Sequence, residues 1–192
     1  MSSYTDRFLL VSSIENETMP LMSFLKVIGC EKVFEAKCAG EAKSLAEKEE
    51  IDIAVINMPL EDRGCYDLAL ELNRKNKEIL LIVKKDDYDE AFEKVSDYGI
   101  VVITKPVQKI YFKQAVNMLV SIKRRLKRIN NENIKLHSKV EEMRLVSRAK
   151  GILMKYLGMS ESQAHRYIEK QAMDMREPKI KIAQGILKTY EE

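Results

Sequence analysis

The stretch DIAVINMPLEDRG, Asp52–Gly64, has the pattern of a buried strand followed by a polar turn. Largely apolar residues lead into Asn57, and Met58-Pro59 then ends the extended pattern. A short continuous apolar run is typical of a strand that is covered on both faces, as in parallel sheets. The strand therefore brings one polar side chain, that of Asn57, to the end of a sheet.

Four other apolar runs flank this strand, and segments with apolar residues at helical spacing separate them all. The runs are RFLLVSS (7–13), EKVFEA (31–36), EILLIV (78–83) and GIVVIT (99–104). Five strands that alternate with four helices predict an α/β fold with a doubly wound, five-stranded parallel sheet. The functional crevice of such a sheet lies at the carboxyl ends of its strands. Those ends are Ser12-Ser13, Asn57, Val83-Lys84 and Lys105-Pro106.

The order and lengths of these elements resemble the flavodoxin-like receiver domain of bacterial response regulators, and KPVQK (105–109) is similar to its Lys-Pro signature. In that family an acidic pair after the first strand binds magnesium, an Asp at the end of the third strand accepts a phosphoryl group, and a Thr or Ser ends the fourth. The resemblance places Ser12 and Ser13 at the acidic pair, Asn57 at the phosphoacceptor and Val83 at the hydroxyl position. Lys105 alone matches the family.

These replacements remove the chemistry of aspartyl phosphorylation. That reaction needs a carboxylate nucleophile and a divalent ion held by hard oxygen ligands. The amide of Asn57 is not nucleophilic, and two Ser hydroxyls carry no charge to hold magnesium. The sequence therefore predicts a degenerate, unphosphorylated pseudo-receiver domain, whose input is a protein partner or a ligand.

Charge is distributed unevenly along the 192 residues. The formal net charge is +3, but residues 1–110 carry −6 and residues 111–192 carry +9. A basic C-terminal part is typical of a segment that meets a polyanion, although solvated Lys and Arg on helices give the same count.

Composition argues against several other classes. No apolar run approaches the roughly 20 residues of a membrane span, and no signal peptide is apparent. Cys30, Cys38 and Cys65 follow no metal or disulfide spacing, which favours reduced thiols in a cytoplasmic protein. We find no catalytic pair, phosphate loop or metal spacing, so we expect no enzyme, cofactor or metal site.

A heptad pattern follows Pro106, after which 44 residues pass before the next Pro or Gly, at Gly151. Alternating steps of 3 and 4 predict a long helix with a coiled-coil seam. Its start, Phe112, Ala115 and Leu119, is the fifth helix of the receiver-like domain. The remainder favours a homodimer through Ile122, Leu126, Ile129, Asn133, Leu136, Val140 and Met143. Packing within one chain is the alternative, and Lys139 and Arg144 would repel each other across a parallel pair.

Turn and cap signals divide the C-terminal segment into three helices. Gly158 ends one helix, Ser160–Gln163 is a capping box that starts the next, and Pro178 suits the first turn of a third. The apolar positions predict a small three-helix bundle with one core. They are Ile152, Leu153, Leu157, Ala164, Ile168, Ala172, Ile182, Ala183 and Ile186.

The same segment, Val146–Leu187, resembles the ANTAR domain, an RNA-binding module of bacterial antitermination regulators. The resemblance rests on RAKGILM (148–154), LGMSESQA (157–164) and the pair Ala172-Met173, in that order. It departs from the family at His165, where a Tyr is usual, and at Glu169, where a basic residue is common.

The spacing of cations in this segment predicts a nucleic-acid surface. Arg144, Arg148, Gly151 and Lys155 share one helix face, and Gly151 would let a phosphate or a splayed base come close. The candidate RNA-binding residues are Arg144, Arg148, Lys150, Gly151, Lys155, His165, Arg166 and Lys170. The alternative to an RNA contact at Lys150 is a solvated surface residue. For Tyr156 and Tyr167, the alternative is a partly buried ring in the core of the bundle.

Together these features predict three segments: a pseudo-receiver domain at 1–121, a coiled-coil helix at 122–145 and an ANTAR-like domain at 146–192. The first hypothesis is a dimeric antitermination regulator that binds paired hairpins in leader transcripts. The second is a DNA-binding regulator, for which HRYIEKQAMDM (165–175) is a poor recognition helix. The third is a coiled-coil adaptor that binds no nucleic acid.

Overall fold

The computed structural model describes residues 4–62 and 64–191. The chain divides into two compact units after Leu126. The N-terminal unit contains a sheet and the helices that cover it, and the C-terminal unit is helical. One helix, Lys109–Leu157, has its first part in one unit and its second part in the other.

The sheet has five parallel strands, and it confirms the predicted fold class. They are β1 (Tyr4–Ser12), β2 (Cys30–Ala36), β3 (Ile53–Asn57), β4 (Glu78–Val83) and β5 (Val101–Thr104). Their order across the sheet is β2-β1-β3-β4-β5. The register pairs Ser12 with Asn57, and Val83 with Thr104. The carboxyl ends of β1 and β3 therefore lie side by side, at the edge of the sheet where all five parallel strands end.

Helices cover both faces because successive strand residues point in opposite directions. They are α1 (Glu15–Val27), α2 (Ala39–Lys48), α3 (Cys65–Arg74), α4 (Tyr88–Val95) and α5 (Lys109–Leu157). Phe8 and Leu10 of β1 pack in one buried cluster with apolar residues of α1 and α5. Leu9 and Val11 pack in another with residues of α2, α3 and α4.

The start of α5 completes the first of these clusters. Phe112 and Leu119 are fully buried there, as predicted, and the Phe112 ring lies 5.8 Å from that of Phe24. Lys123 follows the first part of α5 and faces the N-terminal unit, although its position in the heptad pattern is an outward one. Its ammonium pairs with Asp6 Oδ1 at 2.6 Å and with Asp52 Oδ1 at 2.5 Å. This ion pair fixes α5 to the strand starts.

The end of α5 forms a small bundle with α6 (Glu161–Met175) and α7 (Lys179–Glu191). The predicted cap is confirmed: Gln163 N–H donates to Ser160 Oγ, and Ser160 N–H donates to Gln163 Oε1. Gly158 follows α5 with φ +64°, a conformation that favours Gly. Pro178 directly precedes α7 rather than lying in its first turn.

The core of this bundle is largely the predicted one. Its buried residues are Ala149, Ile152, Leu153, Ala164, Ile168, Ala183 and Leu187. The prediction for Leu157 is wrong, because this side chain in the last turn of α5 is 48% exposed. Among residues 4–62 and 64–191, no helix combines the length and apolarity that crossing a bilayer demands.

Candidate functional site

The first candidate site lies where β1 and β3 end. Asn57 is fully buried, and its amide nitrogen donates to Ser12 Oγ at 3.0 Å and to Glu17 Oε2 at 2.9 Å. The Thr18 hydroxyl lies 2.8 Å from Ser12 Oγ and 2.9 Å from the Ile14 carbonyl oxygen. Asn57 is thus tied into a network of hydrogen bonds within the fold.

An ion pair closes this network on the side of β5. The Lys105 ammonium donates to the same Glu17 oxygen that Asn57 contacts. Burial would raise the pKa of Glu17, but the hydrogen bonds from Lys105 and Asn57 outweigh it and hold the pKa below its usual value. Glu17 is therefore an ionised carboxylate at neutral pH, and it gives Lys105 an internal counter-charge.

Of the remaining edge positions, Ser13 and Val83 carry no charge, and the Asp62 carboxylate is engaged by a backbone hydrogen bond. Ser13 Oγ donates to the Pro59 carbonyl oxygen at 3.2 Å, and Val83 is fully buried. Asp62, which follows β3, accepts from the backbone N–H of Ala39 at 2.7 Å at the start of α2. Magnesium prefers a set of hard, anionic oxygen ligands. Hydroxyls, an amide and one Lys-paired carboxylate do not fit that ion.

Sequence reasoning missed Thr18 as a member of this site, and it assigned no role to Glu17, although that residue lies close to the predicted edge. Both lie in the first turn of α1, which begins three residues after β1 ends. A helix that starts so soon after a strand places its first turn over the strand ends. That constraint was the available signal, but it does not by itself say which residue of the turn faces Asn57.

A cavity of about 200 Å³ lies beside the ion pair. Its wall includes Glu17, Asn57 and Lys105, and the apolar side chains of Leu21 and Phe24 from α1. The side-chain oxygen of Asn57, Oδ1, is buried without a hydrogen-bond partner among the described residues. The cavity thus combines one charged wall with one apolar wall.

Asn57→Asp tests whether this edge accepts a carboxylate. The new group would lie close to Glu17 Oε2, which now receives a hydrogen bond from Asn57 at 2.9 Å. Two like charges at this separation, one of them fully buried at position 57, raise the pKa of the new carboxyl group. We expect the free energy of unfolding at pH 7 to fall by roughly 2–4 kcal/mol, measured by urea denaturation.

The sign of the pH dependence follows from that raised pKa. The loss is complete above the folded-state pKa of the new Asp and fades as pH falls toward the unfolded value, about 3.9. Asn16→Asp, the same change at an exposed position of α1, serves as the control and should be nearly neutral. A stable Asn57→Asp variant that takes up phosphate from acetyl phosphate and magnesium would overturn this account of the edge.

The second candidate site lies on the C-terminal unit. Arg144, Arg148, Gly151 and Lys155 are all exposed on one continuous helix, with the predicted spacing of 4, 3 and 4. Arg144 makes an exposed ion pair with Glu141, at 3.7 Å. Apart from its chain neighbours and the backbone of its own helix, no atom of the described residues lies within 4 Å of a Cβ atom built on Gly151. The face is therefore basic and open at its centre.

Two of the predicted residues are engaged within the bundle. Lys150 is 20% exposed and donates to Glu161 at 2.7 Å, which ties α5 to α6. His165 Nε2 lies 3.3 Å from Glu169, whose carboxylate accepts from Lys179 of α7 at 2.6 Å. The hydrogen bond from Lys179 lowers the pKa of Glu169. Glu169 thus stabilises the contact between α6 and α7. The resemblance to ANTAR domains instead implied a basic residue at this position.

Arg166 and Lys170 complete the predicted set, and both are exposed on α6. They lie four residues apart and so share a face of that helix. The face is next to the one that carries Glu161, His165 and Glu169. Cations are therefore available on both α5 and α6.

The predicted seam residues of α5 are largely exposed to solvent. Leu136, Val140 and Met143 are 60–65% exposed, and Leu126 and Ile129 are also exposed. Asn133 is exposed at its predicted position, whereas Ile122 is half-buried. Exposed apolar residues at heptad spacing have the pattern of a surface that pairs with another helix.

Comparison with solved structures defines the class of the N-terminal unit. The signal receiver domain of an HD domain-containing protein from Pseudomonas fluorescens Pf-5 superposes with a TM-score of 0.59 at 17% identity, over 67% of this chain and 97% of that one. A CheY-like response regulator receiver domain protein from Methanospirillum hungatei JF-1 gives 0.57 at 18% identity, over 64% and 98%. The N-terminal unit has a receiver-like fold.

Comparison of sequences then places the whole chain. Residues 135–187 match the ANTAR domain. The transcriptional regulatory protein PdtaR of Mycobacterium tuberculosis is 29% identical over 172 residues, which are 89% of this chain and 84% of that protein. The aliphatic amidase regulator of Pseudomonas aeruginosa is 36% identical over 93 residues, 45% of this chain and 44% of that protein. The chain therefore carries an ANTAR domain behind a receiver-like fold and is homologous to these two regulators.

Proposed function

We propose that this protein is a dimeric, RNA-binding antitermination regulator that binds paired hairpins in the leaders of nascent transcripts. The observation that carries the proposal is the ANTAR domain at residues 135–187. By binding the hairpins, the protein would favour an antiterminator over a terminator and let transcription continue. Homology to named regulatory proteins supports a role in regulation and not in catalysis.

The RNA surface in this proposal is the basic face of α5 together with the cations of α6. Arg144, Arg148 and Lys155 would contact phosphates, and the bare backbone at Gly151 would admit a splayed base or the sugar-phosphate chain. Lys150 contributes less to binding in this proposal, because its ammonium already pairs with Glu161. His165 likewise lies beside the Glu169 carboxylate, so Arg166 and Lys170 carry the contribution of α6.

The homodimer in this proposal forms along the exposed seam of α5. A single chain leaves Leu126, Ile129, Leu136, Val140 and Met143 in contact with solvent, which is unfavourable for apolar side chains. Asn133 at an a position would set a two-stranded register. Two RNA-binding units on one coiled coil would hold two hairpins with a high effective concentration.

The pseudo-receiver in this proposal is an unphosphorylated input domain. Glu17 supplies the anion that pairs with Lys105, and Asn57 is held by Ser12 and Glu17. No carboxylate stands at the end of β3 to accept a phosphoryl group. A protein partner or a small ligand, for which the cavity beside Lys105 offers room, would act in place of phosphorylation.

Gly151→Ala tests the RNA surface, because it should raise the free energy of unfolding and lower the affinity for RNA. Alanine in the exposed interior of a helix stabilises by roughly 0.5–1 kcal/mol relative to Gly, and its Cβ meets nothing here. The added methyl group would hold RNA away from the backbone. We expect RNA affinity, measured by fluorescence anisotropy, to fall roughly five- to tenfold.

Gly185→Ala is the matched control. Gly185 lies inside α7, is exposed, and also has space for a Cβ atom. This variant should gain the same stability and keep its affinity for RNA. If Gly151→Ala binds RNA as tightly as the parent protein does, Gly151 is not at the interface.

A further inference from the structure

The last turns of α5 and α7 bring two tyrosines together at one end of the C-terminal bundle. The rings of Tyr156 and Tyr190 are 5.5 Å apart and tilted by 31°. Tyr156 is nevertheless 53% exposed, so the ring pair leaves much of its surface open to solvent. The sequence left open that Tyr156 is a partly buried ring of the bundle core. Such a ring would be covered by its neighbours to a greater extent than this one is.

Both helices that carry this ring pair also carry a cation in their last turn. The Lys155 ammonium lies over the Tyr156 ring, 5.1 Å from its centre, and Lys188 is exposed in the last turn of α7. Lys155 also belongs to the basic face that carries Arg148 and Gly151. An open aromatic ring beside Lys side chains is the combination that single-stranded nucleic acids use: the base stacks on the ring and the phosphate meets the cation.

We infer that the Tyr156–Tyr190 pair is a stacking platform for one unpaired base of an RNA hairpin loop, next to the phosphate contacts of Lys155. This inference rests on the proposed RNA-binding function and adds a base-contacting residue to it. Tyr190 lies beyond residues 135–187, the part that matches the ANTAR domain. The Tyr190 half of the platform is therefore a feature of this chain that the domain match does not include.

The test is a double-mutant cycle between the protein and its RNA. The probe is a single hairpin taken from transcripts that co-purify with the full-length protein, with each loop base in turn replaced by an abasic site. Tyr156→Ala should weaken binding of the intact hairpin roughly tenfold, within the range for loss of one stacked base. One abasic position should weaken binding by the parent protein equally, and should weaken binding by Tyr156→Ala no further.

Two further variants separate stacking from folding. Tyr156→Phe keeps the ring and should bind like the parent protein, and Tyr111→Ala removes an exposed tyrosine of the N-terminal unit and should also bind normally. If Tyr156→Ala does not fold, the parent protein is titrated with a hairpin that carries 2-aminopurine at the loop position where an abasic site weakens binding. Stacking on a tyrosine ring changes the fluorescence emission of 2-aminopurine. Emission that is unchanged on binding would overturn the platform.

The remaining outcomes are distinct from one another. Full affinity in Tyr156→Ala, or an abasic penalty that persists undiminished in that variant, refutes the platform while RNA binding stands. Failure of the parent protein to bind any co-purified hairpin refutes the proposed function itself.

Discussion

If the proposed dimer forms along the seam, replacing Leu136 and Val140 by Lys should turn it into a monomer and reduce affinity for a tandem-hairpin RNA by at least about 100-fold. Both side chains are exposed in one chain, at d and a positions of the seam. Two Lys residues at these positions would place like charges in the centre of the coiled coil. Affinity for a single hairpin should not change, since each bundle remains intact. Sedimentation velocity and mobility-shift titrations measure the two effects.

The matched control places the same charges on the opposite side of the helix. Asn131 and Ser138 are exposed at f positions, and a variant with Lys at both should remain dimeric and bind tandem hairpins normally. A seam variant that stays dimeric would show that the dimer forms elsewhere. An equal loss on single and tandem hairpins would show that the seam acts on the RNA surface directly.

Lys123→Met should lower the free energy of unfolding of the N-terminal unit by about 3 kcal/mol, a shift in Tm of roughly 10 °C. The Lys123 side chain is 24% exposed and its ammonium pairs with Asp6 and Asp52, so its removal leaves two close carboxylates without a counter-charge. One oxygen of Asp6, Oδ2, is already buried with no hydrogen-bond partner in the part of the chain that the structure describes. Thermal and urea unfolding followed by circular dichroism measure the loss.

The pH dependence gives this prediction a second readout. Burial would raise the pKa of Asp52, but hydrogen bonds from Lys123 and from the Arg7 N–H outweigh it and lower the pKa. The stability from Asp52 is therefore present above the unfolded value of about 3.9 and is lost as pH falls through the folded pKa. The difference between the parent and Lys123→Met should shrink over that range.

Arg124→Met controls for the loss of a cation from α5. Arg124 is the next residue along the helix and is exposed, so this change should alter stability by less than about 0.5 kcal/mol. Adding Asp6→Asn and Asp52→Asn to Lys123→Met should restore part of the lost stability. A Lys123→Met variant as stable as the parent would show that the ion pair does not anchor α5.

The sheet was predictable from sequence because its strands are continuous apolar runs separated by amphipathic segments. The run 53–57 could not be placed on a surface without exposing apolar residues on both faces, so a covered parallel sheet was the consistent solution. Caps were equally local: Ser160 and Gln163 are three residues apart, and their hydrogen bonds do not depend on the rest of the fold.

The side-chain partners at the sites depend on long-range geometry, and sequence did not supply them. Glu17 and Lys105 are 88 residues apart and meet because α1 and β5 approach the same edge. Lys123 has the spacing of an outward residue, but its long side chain returns to the strand starts. Glu161 and Glu169 engage the cations nearest to them in space, Lys150 and Lys179, which lie on other helices.

The central claim, RNA binding through paired hairpins, is tested most directly by mobility shift with the purified full-length protein. Tandem hairpins from co-purified transcripts would be compared with one hairpin and with duplex DNA at two salt concentrations. Phosphate contacts make affinity for any nucleic acid fall as salt rises, so preference at fixed salt is the informative quantity. We predict tight binding of tandem hairpins, weaker binding of one hairpin and the weakest binding of DNA. Preference for DNA, or no binding to any of the three, would contradict the account.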